Sequence, residues 1–138
     1  MTSNSLRTIV VGFGKIASGL ETDSKMARHF KYATHAQVLR DHPNFDWLGV
    51  VEPSEMAQAA ARQKWGIPYV SSELSLIVKE VDPEVIIITA PPTSRVQIIE
   101  MCTNLKAAFV EKPLNFGDQK ADALIDICLK KNINLQVN

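Results

Sequence analysis

Long apolar runs, cysteine-rich patterns and an excess of charge of either sign are all missing from this 138-residue chain. Its 15 basic and 15 acidic side chains cancel, so composition gives no electrostatic reason to expect nucleic acid or an anionic membrane as a partner. The first apolar run, residues 9–11, is broken at once by two glycines. It is far shorter than a signal-peptide core or the ~20 residues of a membrane span. We therefore expect a cytoplasmic protein with no nucleic-acid or membrane partner.

Cysteine is scarce, and the two present, Cys102 and Cys128, have neither CxxC nor metal-ligand spacing. Both fall in helical patterns, which favours buried, reduced thiols and predicts no metal site. With 46% hydrophobic and 22% charged residues, the composition is typical of a globular protein. The length fits one domain of about 100–150 residues. We interpret residues 1–138 as a single domain.

Short apolar runs alternate with amphipathic stretches along the whole chain. The predicted strands are residues 6–11, 45–51, 69–70, 84–89, 107–110 and 133–137. The predicted helices are residues 15–20, 33–40, 54–65, 72–81 (with Ser72 as N-cap), 94–105 and 117–131, and the polar residues 21–32 are predicted to form a loop. Parallel neighbours need a crossover, and the helices provide it. The pattern predicts an α/β Rossmann fold, a doubly wound parallel six-stranded sheet in the order 3-2-1-4-5-6, with ligands at the switch point between strands 1 and 4.

A glycine fingerprint of the form G-x-G-x-x-A follows the first strand and opens a helix. The first glycine permits a tight turn, the second lets the backbone approach a pyrophosphate, and Ala17 keeps the helix close to the sheet. The helix N-terminus offers unpaired N–H groups to the phosphates. The alternative is a plain glycine turn. The predicted cofactor-binding residues here are Gly12, Phe13, Gly14, Lys15 and Ile16.

Three further segments lie at predicted strand ends. Glu52 ends the second strand, where a carboxylate can accept hydrogen bonds from the adenine-ribose hydroxyls and repel the 2′-phosphate of NADP. This predicts NAD rather than NADP as the cofactor, unless Glu52 is a solvated loop residue. Ala90, Pro91, Pro92 and Thr93 follow the fourth strand and are predicted to line the nicotinamide ribose, or alternatively only to terminate that strand. Asn138, after the sixth strand, completes the predicted cofactor-binding set.

The fifth strand is followed by Glu111-Lys112-Pro113-Leu114. Together with the glycine turn, the acidic second-strand end and the proline loop, this segment resembles the glucose–fructose oxidoreductase, inositol dehydrogenase and rhizopine catabolism (Gfo/Idh/MocA) family over residues 7–138. The resemblance implies an oxidoreductase that transfers hydride between a nicotinamide and a sugar or polyol. It implies that Lys112 is the catalytic residue, beside the nicotinamide and the substrate hydroxyl, and that Glu111 orients the loop and the cofactor. The alternative for Lys112 is a surface lysine.

One position departs from the family pattern, and three histidines fall outside it. Members often have histidine where this chain has Arg95, so the resemblance assigns that residue no role. His29, His35 and His42 all lie in the first crossover. Only His35 is expected near the cofactor cleft.

The family's second domain supplies the remaining catalytic residues and most of the sugar pocket. We expect that domain to be absent here, so that the chain binds NAD with little or no turnover and the parent protein is the dehydrogenase. A sheet edge left open predicts a homo-oligomer. The alternative function is a free-standing dinucleotide-binding or regulatory module. A methyltransferase also uses a glycine turn and an acidic strand end, but the Glu-Lys-Pro-Leu segment and the proline loop argue against it.

Overall fold

Six parallel strands form one sheet in the order β3-β2-β1-β4-β5-β6, in a computed structural model that describes residues 4–14, 17–18, 24–29, 31–115 and 121–138. The strands are β1 (Leu6–Val11), β2 (Phe45–Val51), β3 (Tyr69–Ser71), β4 (Val85–Ile88), β5 (Ala107–Val110) and β6 (Asn134–Val137). The helices are α1 (Ser24–His29), α2 (His35–Asp41), α3 (Glu55–Gln63), α4 (Leu74–Val81), α5 (Arg95–Met101) and α6 (Asp122–Lys130). The predicted doubly wound α/β fold and strand order are confirmed.

The sheet has a hydrophobic core on each face. Strand β4 is buried along its whole length and pairs in parallel with β1 and β5, because helices cover both of its sides. One core joins the sheet to α4, α5 and α6, and the other joins it to α2, α3 and Ala17. The central strands are therefore buried on both faces, and ligands bind at the loops after their carboxyl ends in folds of this kind.

Helix α2 begins at a capping box that fixes the residues before it. The Thr34 hydroxyl accepts a hydrogen bond from the Gln37 N–H, and the Gln37 side-chain oxygen accepts one from the Thr34 N–H. Two N–H groups at the start of the helix are thereby satisfied within the chain. His35, the first residue of α2, is held in a defined place next to the sheet edge.

Several predicted element boundaries were wrong. Residues 24–29 form the helix α1 inside the segment predicted to be a loop. Ser72 is not the N-cap of α4, because that position is Glu73, which makes no side-chain capping bond. Helix α6 begins at Asp122, with Ala121 as its N-cap. The predicted start at residue 117 lies outside the described residues, as does most of the predicted helix 15–20.

The helix predicted for residues 94–105 ends at Met101. Cys102 has an extended backbone, with φ −98° and ψ 112°. The Asn104 side chain donates hydrogen bonds to the Asp82 carboxylate at 2.8 and 2.9 Å. This contact joins the residues after α5 to the segment after α4, and it is a tertiary contact that local periodicity does not carry.

An aromatic row lies on the α2–α3 side of the sheet. The ring centroids of Phe13 and Trp47 are 5.8 Å apart, and those of Trp47 and Trp65 are also 5.8 Å apart. Phe13 belongs to the glycine turn, so the row connects that turn to the core below α3. No helix in the described part of the chain has the length and apolarity needed to cross a membrane.

Candidate functional site

The predicted site residues lie in the segments that follow five of the six strands. Because the strands are parallel, their carboxyl ends lie at one edge of the sheet. Ligands bind at this edge in folds of this kind. The residues that follow the strands are Gly12 after β1, Glu52 after β2, Thr89 after β4, Glu111 after β5 and Asn138 after β6.

Gly12 has no room for a side chain. Its φ is +87°, and a Cβ built on it would lie 2.6 Å from Thr89 Oγ1 and 2.9 Å from the Ala90 nitrogen. The Thr89 hydroxyl also donates a hydrogen bond of 2.7 Å to the Gly12 carbonyl. The glycine turn and the loop after β4 are therefore joined at this point. This role of Thr89 was not predicted, and its position as the last residue of the predicted strand 84–89 was the available signal.

Gly14 has the opposite environment. It is exposed, and no described atom lies within 4 Å of the Cβ that a side chain would place there. Its carbonyl accepts hydrogen bonds from the N–H groups of Ala17 and Ser18, at 3.1 and 3.0 Å, and Ala17 is fully buried. The predicted contacts Lys15 and Ile16 lie outside the described residues. The turn thus presents open backbone of the kind that a dinucleotide pyrophosphate needs.

The Glu52 carboxylate ties the glycine turn to the end of β2. One oxygen accepts a 3.0 Å hydrogen bond from the Phe13 N–H, and the other accepts a 2.6 Å bond from the Ser54 N–H. Glu52 is only 9% exposed, so these bonds satisfy an otherwise costly buried charge. The Phe13 side chain is 3% exposed. Any contact of Phe13 with a cofactor is therefore made by its backbone.

These residues enclose a cleft of about 440 Å³, which we call the switch-point cleft. It is lined by Val11, Gly12, Phe13, Gly14, Val51, Glu52, Pro53, Thr89, Ala90 and Pro91. Pro92 and Thr93 do not line it. They belong to a short 3₁₀ turn, Pro92–Ser94, and line a neighbouring cavity of about 210 Å³ with Arg95 and Leu114.

Glu111 is the centre of a second polar cluster. The Asn138 side-chain amide donates to its two oxygens at 3.2 and 3.0 Å, and His35 Nε2 lies 2.7 Å from Oε1. Burial raises the pKa of Glu111, but the hydrogen bonds from Asn138 and His35 outweigh it and hold that pKa below its usual value. Glu111 is therefore ionised at neutral pH, and the three residues line a cavity of about 200 Å³ that shares no lining residue with the switch-point cleft.

Lys112 is exposed, and the turn that carries it is held by Arg95. One Arg95 Nη donates a 3.0 Å hydrogen bond to the Pro113 carbonyl, and the other donates to the Glu111 carbonyl. Burial lowers the pKa of Arg95, and the charge of Glu111 opposes that shift. The resemblance assigned Arg95 no role, and residue spacing does not reveal these contacts, because they join residues 16 and 18 positions apart in different crossovers.

No group of three or more metal-ligating side chains occurs in the part of the chain that the structure describes. Cys102 and Cys128 are free and buried, as predicted. Burial raises the pKa of the Cys102 thiol to about 11, so it stays protonated at neutral pH. Neither cysteine has the character of a reactive thiolate.

Comparison with known proteins gives a family match over nearly the whole chain. Residues 6–138 match the family described as "Oxidoreductase family, NAD-binding Rossmann fold". Comparison by sequence with curated proteins gives no significant match.

Solved structures match in fold. The myo-inositol 2-dehydrogenase of Lactobacillus plantarum is 17% identical and superposes with a TM-score of 0.74 over 97% of this chain and 36% of its own. The scyllo-inositol dehydrogenase of Lactobacillus casei, with bound NAD(H) and scyllo-inositol, is 17% identical and superposes with a TM-score of 0.71 over 97% of this chain and 36% of its own. The biliverdin reductase of Synechocystis sp. PCC 6803, in complex with biliverdin and NADP+, is 17% identical and superposes with a TM-score of 0.69 over 96% of this chain and 37% of its own. The chain thus spans little more than a third of the length of these proteins.

Proposed function

We propose, from the premise that the chain belongs to the oxidoreductase family with an NAD-binding Rossmann fold, that it binds NAD in the switch-point cleft and serves a dehydrogenase. The reaction is hydride transfer between the nicotinamide and a secondary alcohol or ketone of a sugar or polyol. The observation that carries the proposal is the contrast between the two glycines. A Cβ at Gly12 would overlap Thr89, whereas a Cβ at Gly14 would meet no described atom within 4 Å. Both glycines line the cleft.

The chain's own residues divide the binding of NAD between them. The backbone of the glycine turn receives the diphosphate, as in other dinucleotide folds. Glu52 lines the same cleft, and each of its oxygens has a lone pair left after accepting one N–H, so it can also accept from ribose hydroxyls. Ala90 and Pro91 close the cleft on the side of β4.

Lys112 is the proposed catalytic residue. NAD, when bound, would supply the hydride acceptor: oxidation of a carbinol removes hydrogen from carbon as hydride, with both electrons of the C–H bond, and removes the O–H hydrogen as a proton. Lys112 contacts the substrate hydroxyl and helps relay that proton to solvent as the carbonyl forms, while its ammonium stabilises the negative charge that develops on the oxygen. Glu111 fixes the start of the turn that carries Lys112, through its bonds to Asn138 and His35.

A polyol is the proposed substrate class because two of the matching folds belong to inositol dehydrogenases, one of them with scyllo-inositol bound. We propose that residues outside these 138 complete the substrate pocket, since the matching proteins are nearly three times as long. Self-association through β6 is proposed because this strand lies at the edge of the sheet, where unpaired backbone groups are available. A cytoplasmic location is proposed as well.

Calorimetric titration of the purified chain with NADH and with NADPH tests the cofactor proposal. We expect NADH to bind at least about tenfold more tightly, because the buried Glu52 carboxylate repels a 2′-phosphate and each factor of ten corresponds to ~1.4 kcal/mol. Tighter binding of NADPH would contradict the specificity. Failure of both dinucleotides to bind would contradict the proposed function itself.

Turnover is tested by incubating the chain with NAD and a panel of inositols and sugars while following NADH formation. Little or none is expected, because hydride transfer needs the carbinol carbon held at near-attack distance and the proposed pocket is incomplete. A longer protein that contains this chain is expected to reduce NAD with a polyol. Rapid turnover by the 138 residues alone would refute the proposed division of the pocket, and a longer protein that binds NADH yet oxidises no polyol would favour the dinucleotide-binding module.

A further inference from the structure

Arg95 is the least exposed charged side chain among the described residues, at 2%. Burying a guanidinium costs several kcal/mol unless its charge and its N–H groups are satisfied. Its two Nη groups donate to backbone carbonyls, its buried Nε has no hydrogen-bond partner, and one carboxylate, Glu111, supplies the opposing charge. A neutral side chain of similar size would fill the same volume without this cost, so packing alone does not explain an arginine at this position.

The two carbonyls bonded by Arg95 belong to the residues on either side of Lys112. From the first residue of α5, the guanidinium reaches across to Glu111 and to Pro113. We infer that Arg95 is a positioning residue, which fixes the backbone on both sides of Lys112 and so sets the direction in which that side chain leaves the turn. The role in catalysis rests on the proposed function, whereas the mechanical role does not.

The geometry requires a forked donor. Arginine carries its N–H groups in a rigid plane, so that one side chain can hold two acceptors at fixed separation. Lysine has a single nitrogen and a flexible stem. Lys112 itself is exposed and has a long side chain with rotamer freedom to lose. With both outer peptide planes anchored, the Cα–Cβ bond of Lys112 points in one direction, and less freedom remains to be lost when a substrate arrives.

The Glu111 carboxylate supports the same turn through its contacts with the start of α2 and with the residue after β6. His35 and Asn138 contact the carboxylate oxygens of Glu111, whereas Arg95 donates to the backbone carbonyl of the same residue. The first residue of the turn is thus fixed by side chain and by backbone, and the third residue by backbone alone. This division predicts that loss of Arg95 loosens Lys112 and Pro113 more than it loosens Glu111.

The test is an NMR comparison of the wild-type chain with Arg95→Lys and Arg95→Gln. The amide order parameter of Lys112 is expected to fall from about 0.85 to below about 0.6 in both variants, the change from a rigid to a flexible backbone. The carbonyl ¹³C signals of Glu111 and Pro113 are expected to shift as they lose their donors. Arg62→Lys is the matched control, because Arg62 is exposed and donates to the Val70 carbonyl at 3.0 Å; this variant should leave Lys112 unchanged.

A Lys112 order parameter that stays high in either folded variant would overturn the inference. Scalar couplings across the hydrogen bonds from Arg95 to the two carbonyls, measured in the wild-type chain, keep the test decisive if both variants unfold. Their absence also overturns it.

Addition of NADH separates this inference from the proposed function. Arg95 does not line the switch-point cleft, so the affinity of the variants for NADH is expected to change by less than about threefold, well under one factor of ten in binding. The NADH-induced shift of the Lys112 signals should shrink. A wild-type chain that binds no NADH would contradict the proposed function while the order parameters still decide the role of Arg95.

Discussion

Replacing Gly12 with alanine is expected to lower the free energy of unfolding by about 3 kcal/mol and to abolish NADH binding. A left-handed backbone costs a residue with a Cβ about 1–2 kcal/mol, and overlap in a packed site adds about 1–3 kcal/mol. Both apply, because φ is +87° and the new methyl would lie 2.6 Å from Thr89 Oγ1. Urea denaturation with linear extrapolation measures the first effect, and calorimetric titration measures the second.

Gly14→Ala is the matched control for that substitution. No described atom lies within 4 Å of the new Cβ, so stability is expected to stay the same or to rise by up to about 1 kcal/mol as the unfolded chain loses freedom. The NADH affinity is nevertheless expected to fall by at least about tenfold, because the methyl group enters the space where a pyrophosphate approaches the backbone. Equal stability of the Gly12 variant and the wild type would show that the turn is not the tight one described.

Glu52→Gln is expected to destabilise the chain by about 2 kcal/mol, since a glutamine of the same size can accept only one of the two N–H groups. The other, from Phe13 or Ser54, would face an amide nitrogen, and a buried donor left without an acceptor costs about 1–3 kcal/mol. NADH affinity is expected to fall together with stability, because the Phe13 amide belongs to the glycine turn. Denaturation and calorimetry on one sample measure both.

Glu55→Gln removes a nearby charge without touching the turn. Glu55 is exposed in the first turn of α3, so its replacement is expected to change stability by no more than about 0.5 kcal/mol and to leave NADH binding unaltered. A Glu52 variant that behaves like the Glu55 variant would mean that the Glu52 carboxylate does not secure the glycine turn.

The strands were more predictable than the helices. β1, β2 and β5 occur with the predicted bounds, because short runs rich in apolar residues and bounded by turn residues mark strands of a parallel sheet. The helix α1 has the sequence SKMARH, which has too few apolar residues for a helical period to be recognised. The end of α5 was missed for a different reason, since Asn104 bonds to Asp82 across 22 positions of the chain.

For the site, the sequence located the groups but not their connections. Parallel topology alone places Gly12, Glu52 and Glu111 at one edge, so their proximity could be predicted. That Glu52 bonds Phe13, 39 positions away, and that Arg95 bonds both sides of Lys112, could not. Such contacts depend on the separation and tilt of particular strands and helices. The spacing of residues along the chain does not determine either quantity.

The aromatic row beneath the glycine turn gives the chain an internal optical probe. Trp47 touches the ring of Phe13, whose amide is bonded to Glu52, and indole emission responds to shifts of neighbouring rings and dipoles. Rearrangement of the turn around a dinucleotide would alter the emission of Trp47 without any attached label. Trp65, the only other tryptophan in the sequence, lies one ring further from the cleft, so replacing it with phenylalanine would leave a single emitter beside the turn.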